Sequence, residues 1–275
     1  MPKPSAPTDT EARYPLIGPG EPPPVRLLNP GASAGVLFVA DHASNRIPPA
    51  MGRLGLEPDQ LDRHIAYDIG SAALAERLAE RFDAQAVLAG YSRLLVDLNR
   101  SLEDPSAFPE HSDGVAIPGN QALGRDDKAL RVRSFYTPYR VAIDRALRGL
   151  RSRVEAPALI ALHSFTPELD GRRRPWQVGL LWDKDPRIAE PLIKGLRARP
   201  EGLSVGDNEP YSGKHPADYT IDHHAEAAGL PHVSIEVRQD LIAEPAGVER
   251  WADIIESALR PILDQPGLYR LRSLD

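Results

Sequence analysis

The sequence predicts an α/β fold of three layers, α/β/α, with a central mixed and mostly parallel sheet between helices. Two observations predict it. Short segments rich in Val, Leu and Ile alternate with longer amphipathic ones, the order that builds βαβ units. The short segments are near-continuous apolar runs, which suits strands covered on both faces. With 275 residues and 41% hydrophobic content, the chain can bury a sizeable core, as one α/β domain or two small ones.

Eight of the 28 prolines fall in residues 1–24. Proline fixes φ and removes a backbone donor, so this stretch reads as an extended or poorly ordered arm. No internal repeat or long charge block follows, and residues 25–275 read as one domain. Strands are expected at 35–40, 85–89, 94–98, 158–162, 177–182 and 232–237. Residues 69–82 place Leu74, Leu78 and Phe82 at helical spacing. Residues 127–150 carry the stripe Phe135, Tyr139, Ile143, Ala146 and Leu150, which Pro138 must interrupt or kink. Further helices are expected over 187–198, 217–228 and 246–264.

The formal net charge is −6, with no cationic block, which argues against nucleic acid as a partner. No apolar run approaches the roughly 18 residues of a membrane span, so no membrane partner is expected. The amino-terminal segment lacks the apolar stretch of a signal peptide, and the expected location is the cytoplasm. There is no Cys, so a metal would need imidazole with carboxylate or amide ligands.

In open α/β sheets ligands bind beyond the carboxyl ends of the strands. His42 follows the strand 35–40, Asn99 and Arg100 follow 94–98, His163 follows 158–162, and Glu236 sits near the end of 232–237. Imidazole is the commonest protein metal ligand, and catalytic zinc takes about three protein ligands plus one open position. His42 and His163 supply two. The third must be an oxygen donor, either Asn45, three residues after His42, or Asp68 in "HIAYDIGS". Both histidines could instead be loop residues bonded to backbone.

A carboxylate in the apolar run "HVSIEVRQDLI" is costly unless it is paired or functional. Glu236 therefore reads as a general base beside a metal-bound water. Arg238 shares its face, as an ion-pair partner or a substrate contact. In "SRLLVDLNRS", Asn99 and Arg100 suit the grip of a substrate carboxylate. Arg93 could serve the same end or stabilise an oxyanion, unless it pairs with Asp97. In "DHH" at 222–224, neighbouring helical residues point about 100° apart and chelate poorly. His224 is assigned to ligand support or substrate contact, and His223 to the surface.

The motifs "DHASNRIP", "HIAYDIGS", "LLVDLNR", "ALHSFTP", "NEPYSG" and "IEVRQDLI" resemble, in this order, the N-formylglutamate amidohydrolase family. The similarity runs from about Leu37 to Leu263. The family is similar in fold to the zinc carboxypeptidases, a phosphorylase/hydrolase-like arrangement, and its namesake members release formate and L-glutamate from N-formyl-L-glutamate during histidine degradation. The resemblance implies one zinc ion. It matches His42 to the first His of a His-x-x-Glu ligand pair and His163 to a later ligand. Asn45 stands at the Glu position, where a neutral amide is the weaker ligand, and Asp68, or Asp41 through water, is the alternative. It also matches Glu236 to the catalytic Glu, Asn99–Arg100 to a carboxylate clamp, and Arg93 to the arginine that polarises the scissile carbonyl.

The expected activity is metal-dependent hydrolysis of a small acidic N-acyl amino acid, N-formyl-L-glutamate foremost. Action on another N-acyl amino acid or small amide is the alternative. A non-catalytic binder of acidic metabolites is the reading from another class, with Asn45 as its best support.

Overall fold

The computed structural model describes residues 14–214 and 218–272. Seven strands form one sheet: β1 (Val25–Leu28), β2 (Val36–Ala40), β3 (Gln85–Ala89), β4 (Ala158–Phe165), β5 (Val178–Leu181), β6 (Val205–Asp207) and β7 (His232–Arg238). Their spatial order is β1-β3-β2-β4-β7-β5-β6. Strands β2, β3, β4 and β7 run parallel to their neighbours in that block, and β5 is parallel to β6. Only β1 against β3 and β5 against β7 are antiparallel. The sheet is therefore mixed and mostly parallel.

Besides a single turn at Pro58–Leu61, the α-helices among the described residues are α1 (Ser71–Arg81), α2 (Arg125–Arg131), α3 (Thr137–Leu150), α4 (Pro186–Arg197), α5 (Tyr219–His224) and α6 (Pro245–Leu263). Alternate residues of β2 serve opposite layers. Val36, Phe38 and Ala40 pack with Leu74 and Leu78 of α1, Leu192 of α4 and Ile255 of α6. Leu37 and Val39 pack with Tyr139, Ile143 and Leu150 of α3. A strand whose two faces are both buried has no place for a polar side chain, which is why "VLFVA" reads as an unbroken apolar run. No helix among the described residues is long and apolar enough to cross a membrane.

Two local expectations change. Residues 94–98 form no strand. Their carbonyls are taken outside any ladder: Asn120 Nδ2 donates to Leu94 O at 2.8 Å and Arg131 Nη1 to Leu95 O at 2.9 Å. The Asp97 amide donates to Ala107 O at 2.8 Å. A buried segment needs its backbone groups paired, and here side chains do what a neighbouring strand would have done. The expected helix over 127–150 is two helices joined by a π-helical turn at Val132–Tyr136, and Pro138 lies in the first turn of α3. There its missing N–H costs least. The described part of the proline-rich arm packs onto the domain: Ile17 is buried, and Tyr91 Oη donates to Pro22 O at 2.8 Å. Residues 1–13 lie outside the described residues, as does residue 217 of the expected 217–228 helix. Strand β1 escapes detection because edge exposure gives "VRLL" a half-buried pattern.

The loop after β6 lies across the sheet where side chains are absent. A Cβ on Gly179 would stand 1.9 Å from Glu209 O, and one on Gly206 would stand 2.5 Å from it. Gly179 is also the cross-strand neighbour of Glu236. Gly179→Ala is expected to destabilise the fold by about 1–3 kcal/mol, the usual cost of overpacking, read as a lower urea midpoint at unchanged slope. Wild-type stability would show that the loop yields freely.

Candidate functional site

The carboxyl end of the sheet's centre collects the polar groups. His42 is the second residue after β2, His163 lies within β4, and Glu236 lies within β7, register partner to His163. Asp68 comes from the segment before α1. Its amide donates to His42 O at 2.9 Å, which draws "HIAYDIGS" against the loop after β2.

Asp68 is the hub. Its Oδ2 lies 2.8 Å from His163 Nδ1 and 3.3 Å from His42 Nδ1. The same oxygen accepts from the Ser164 amide at 3.3 Å, while Oδ1 accepts from Arg93 Nη1 at 3.4 Å. The two imidazole rings are 5.1 Å apart. Their far nitrogens also face carboxylates: His42 Nε2 lies 2.8 Å from Asp97 Oδ1, and His163 Nε2 lies 3.2 Å from Asp41 Oδ2. Arg93 grips Asp97 Oδ2 through Nη2 at 2.6 Å and Nε at 3.2 Å. Thr220 Oγ1 donates to Asp41 Oδ1 at 3.0 Å.

These groups back a cavity of about 150 Å³ lined by His42, Asp68, Arg93, Asn99, Arg100, His163, Ser164, Leu181, Tyr211, Ser212, Asp218 and Glu236. Burial opposes ionisation of Asp68, but both histidines hold its pKa below the usual carboxylate range. Burial likewise works against charge on Asp97, where Arg93 and His42 prevail. His163 is desolvated too, yet Asp41 and Asp68 raise its pKa well above the ordinary imidazole value. Glu236 goes the other way. Burial, with Asp68 and Asp218 adding to it, outweighs His163 and lifts its pKa to about 7. Its Oε2 is buried without a hydrogen-bond partner.

His42, Asp68 and His163 offer one donor atom each within 4.8 Å of one another, all from buried residues. Tetrahedral zinc, with bonds of about 2.0–2.2 Å, sets its ligands roughly 3.3 Å apart. The 2.8 and 3.3 Å separations about Asp68 Oδ2 are close to that. The charge also fits: three carboxylates line the cavity against two guanidinium groups. A divalent cation would supply the positive charge that protons on the two histidines supply otherwise.

Asn45 is not brought to this cluster. Its Nδ2 donates to Leu61 O at 3.0 Å and to Asp62 Oδ1 at 3.3 Å, and it lines a different cavity with Pro22, Arg46 and Tyr67. Asp68 stands beside His42 instead, because the backbone bond between the two segments delivers it there. Asn99 and Arg100 line the cavity, and Asn99 Oδ1 also accepts from the Thr220 amide at 2.8 Å. Arg238 and His224 do not line it. Arg238 Nε donates to Asp240 at 2.7 Å, and His224 Nδ1 pairs with Asp144 at 2.8 Å. Sequence reasoning passes over Ser164, Tyr211, Ser212 and Asp218. The motif "NEPYSG" already carries Tyr211 and Ser212, but nothing in its residue types announces a cavity wall.

The sequence matches the family of N-formylglutamate amidohydrolases over residues 34–243. The crystal structure of a gene product from Agrobacterium tumefaciens is 34% identical, with a TM-score of 0.84 over 90% of this chain and 99% of that one. The crystal structure of the N-formylglutamate amidohydrolase from Ralstonia eutropha JMP134 is 20% identical, with a TM-score of 0.66 over 88% of this chain and 97% of that one, and shares the fold. No curated protein sequence matches.

Burial together with Arg140 pushes His224 down to about 4. An unfolded histidine titrates near 6.5, so between those values the unfolded chain binds the extra proton. This stability term is whole above pH 6.5 and is lost as pH falls toward 4. Thermal unfolding of His224→Gln should vary less than wild type across that window. An equal slope in both proteins would refute the assignment.

Proposed function

Because the chain belongs to the N-formylglutamate amidohydrolase family, we propose that it hydrolyses the amide bond of a small acidic N-acyl amino acid, with N-formyl-L-glutamate the first substrate to test. We assign one divalent cation, zinc the best suited to the donors, to His42, Asp68 and His163. The observation that carries the reading is Glu236, a buried carboxylate with an unpartnered oxygen, opening onto the same small cavity as those three donors.

A cation bound there would polarise the scissile carbonyl and acidify water. The chain's own residues supply the rest. Glu236, with a pKa near 7, is matched to both proton transfers at neutral pH. It takes a proton from the attacking water as the new C–O bond forms. It returns that proton to the amide nitrogen as the C–N bond breaks, leaving formate and the free amino acid. Asn99 and Arg100 hold the substrate carboxylate, which fixes the amide relative to Glu236 and removes much of the entropic cost of the encounter. A cavity of about 150 Å³ suits a small acyl group.

Formate release from N-formyl-L-glutamate should be measured before and after chelation and after zinc is restored. Activity should vanish and return. Glu236→Gln should lower kcat by about 10²–10⁴-fold, the usual weight of a positioned acid–base. Full turnover by protein stripped of metal, verified by elemental analysis, would contradict the cation assignment. A panel of N-formyl and N-acetyl amino acids separates the substrate from its relatives.

A further inference from the structure

Asp97 does not line the cavity, yet it is among the most heavily bonded carboxylates in the protein. Oδ1 receives the Asn99 amide at 2.9 Å and faces His42 Nε2 at 2.8 Å. Oδ2 receives two bonds from Arg93. The residue is 4% exposed. An ionised carboxylate only accepts hydrogen bonds, so the Nε2 facing it must carry the hydrogen. Nδ1 faces Asp68 Oδ2 inside the donor cluster, so it is the nitrogen that would give up its hydrogen to a cation there, while Nε2 keeps its own on Asp97.

We infer that Asp97 is a positioning residue. It holds the His42 ring in one orientation and one tautomer, with Nδ1 as the donor, and Arg93 acts as the clamp that holds Asp97 in place. The inference rests on the cation site assigned above and adds to it Asp97, which lies outside the cavity lining. It gives Arg93 a part distinct from carbonyl polarisation. Two of its nitrogens are spent on Asp97, and Nη1 reaches Asp68 Oδ1. Asp41 lies behind His163 at ion-pair distance, Oδ2 3.2 Å from Nε2 without a hydrogen bond, and is itself fixed by Thr220 Oγ1. Both imidazoles thus have a buried carboxylate behind them, while one carboxylate, Asp68, stands between them in front. Partners of this kind orient a ligating imidazole and raise its basicity, and their loss typically weakens metal binding about 10–100-fold.

Two readouts test this, neither of them turnover. The first needs no variant: long-range proton–nitrogen NMR of the imidazoles in zinc-loaded wild-type protein. The expected result is His42 protonated at Nε2 with zinc on Nδ1. Zinc on Nε2 overturns the inference. The second is zinc affinity by competition with a chromogenic chelator, for wild type and Asp97→Asn. Roughly 10–100-fold weaker binding is expected in the variant, with the thermal midpoint of the metal-free protein showing that it remains folded. A folded variant that binds zinc as tightly as wild type overturns the inference. Failure of wild type itself to take up zinc overturns the cation assignment beneath it, so the two failures are separable.

Discussion

The site depends on one carboxylate shared by four groups. Asp68 receives both imidazoles, the Ser164 amide and Arg93. It thereby ties the loop after β2, the segment before α1, the end of β4 and the turn carrying Arg93 to one point. Each element arrives from a different part of the chain, and the sheet register sets how near they come. The bond from the Asp68 amide to His42 O and the pairing of Glu236 with His163 are the backbone half of that arrangement. Substituting Asp68 would leave two buried imidazoles facing each other without a common acceptor.

Burial divides the acids of this region into two kinds. Asp41, Asp68 and Asp97 are desolvated but stay ionised, because imidazole or guanidinium groups lie within hydrogen-bond or ion-pair distance. Glu236 is equally buried but lacks such a partner at Oε2, and its proton is held up to about neutral pH. The same low-dielectric setting therefore yields fixed negative charge at the donor cluster and a transferable proton a strand away. Environment, more than residue type, separates the two roles.

Much of this was legible from residue order. Continuous apolar runs locate β2, β3, β4 and β7, and the rule that ligands collect at strand ends picks out His42, His163 and Glu236. The failures have particular causes. Asn45 suggests a ligand because sequence spacing is the only measure of nearness before folding, whereas Asp68, 26 residues away, is nearer in space. The apolar run at 94–98 mimics a strand because burial, not pairing, produces that pattern, and its carbonyls go to Asn120 and Arg131. Asp97, a lone acid in "LLVDLNR", carries the same signal as Glu236 in its own apolar run. Nothing in the sequence shows that Arg93 and His42 meet it from opposite sides. His224 and Arg238 fall away because each finds a nearby acid, Asp144 and Asp240.

The proposed cation site joins His42, Asp68 and His163 in front of Glu236. Anomalous diffraction at the zinc edge from a crystal grown with zinc tests it most directly. The predicted result is a single strong peak within bonding distance of His42 Nδ1, His163 Nδ1 and Asp68 Oδ2. A crystal without a peak at that cluster, or with its peak at Asn45, would contradict the account.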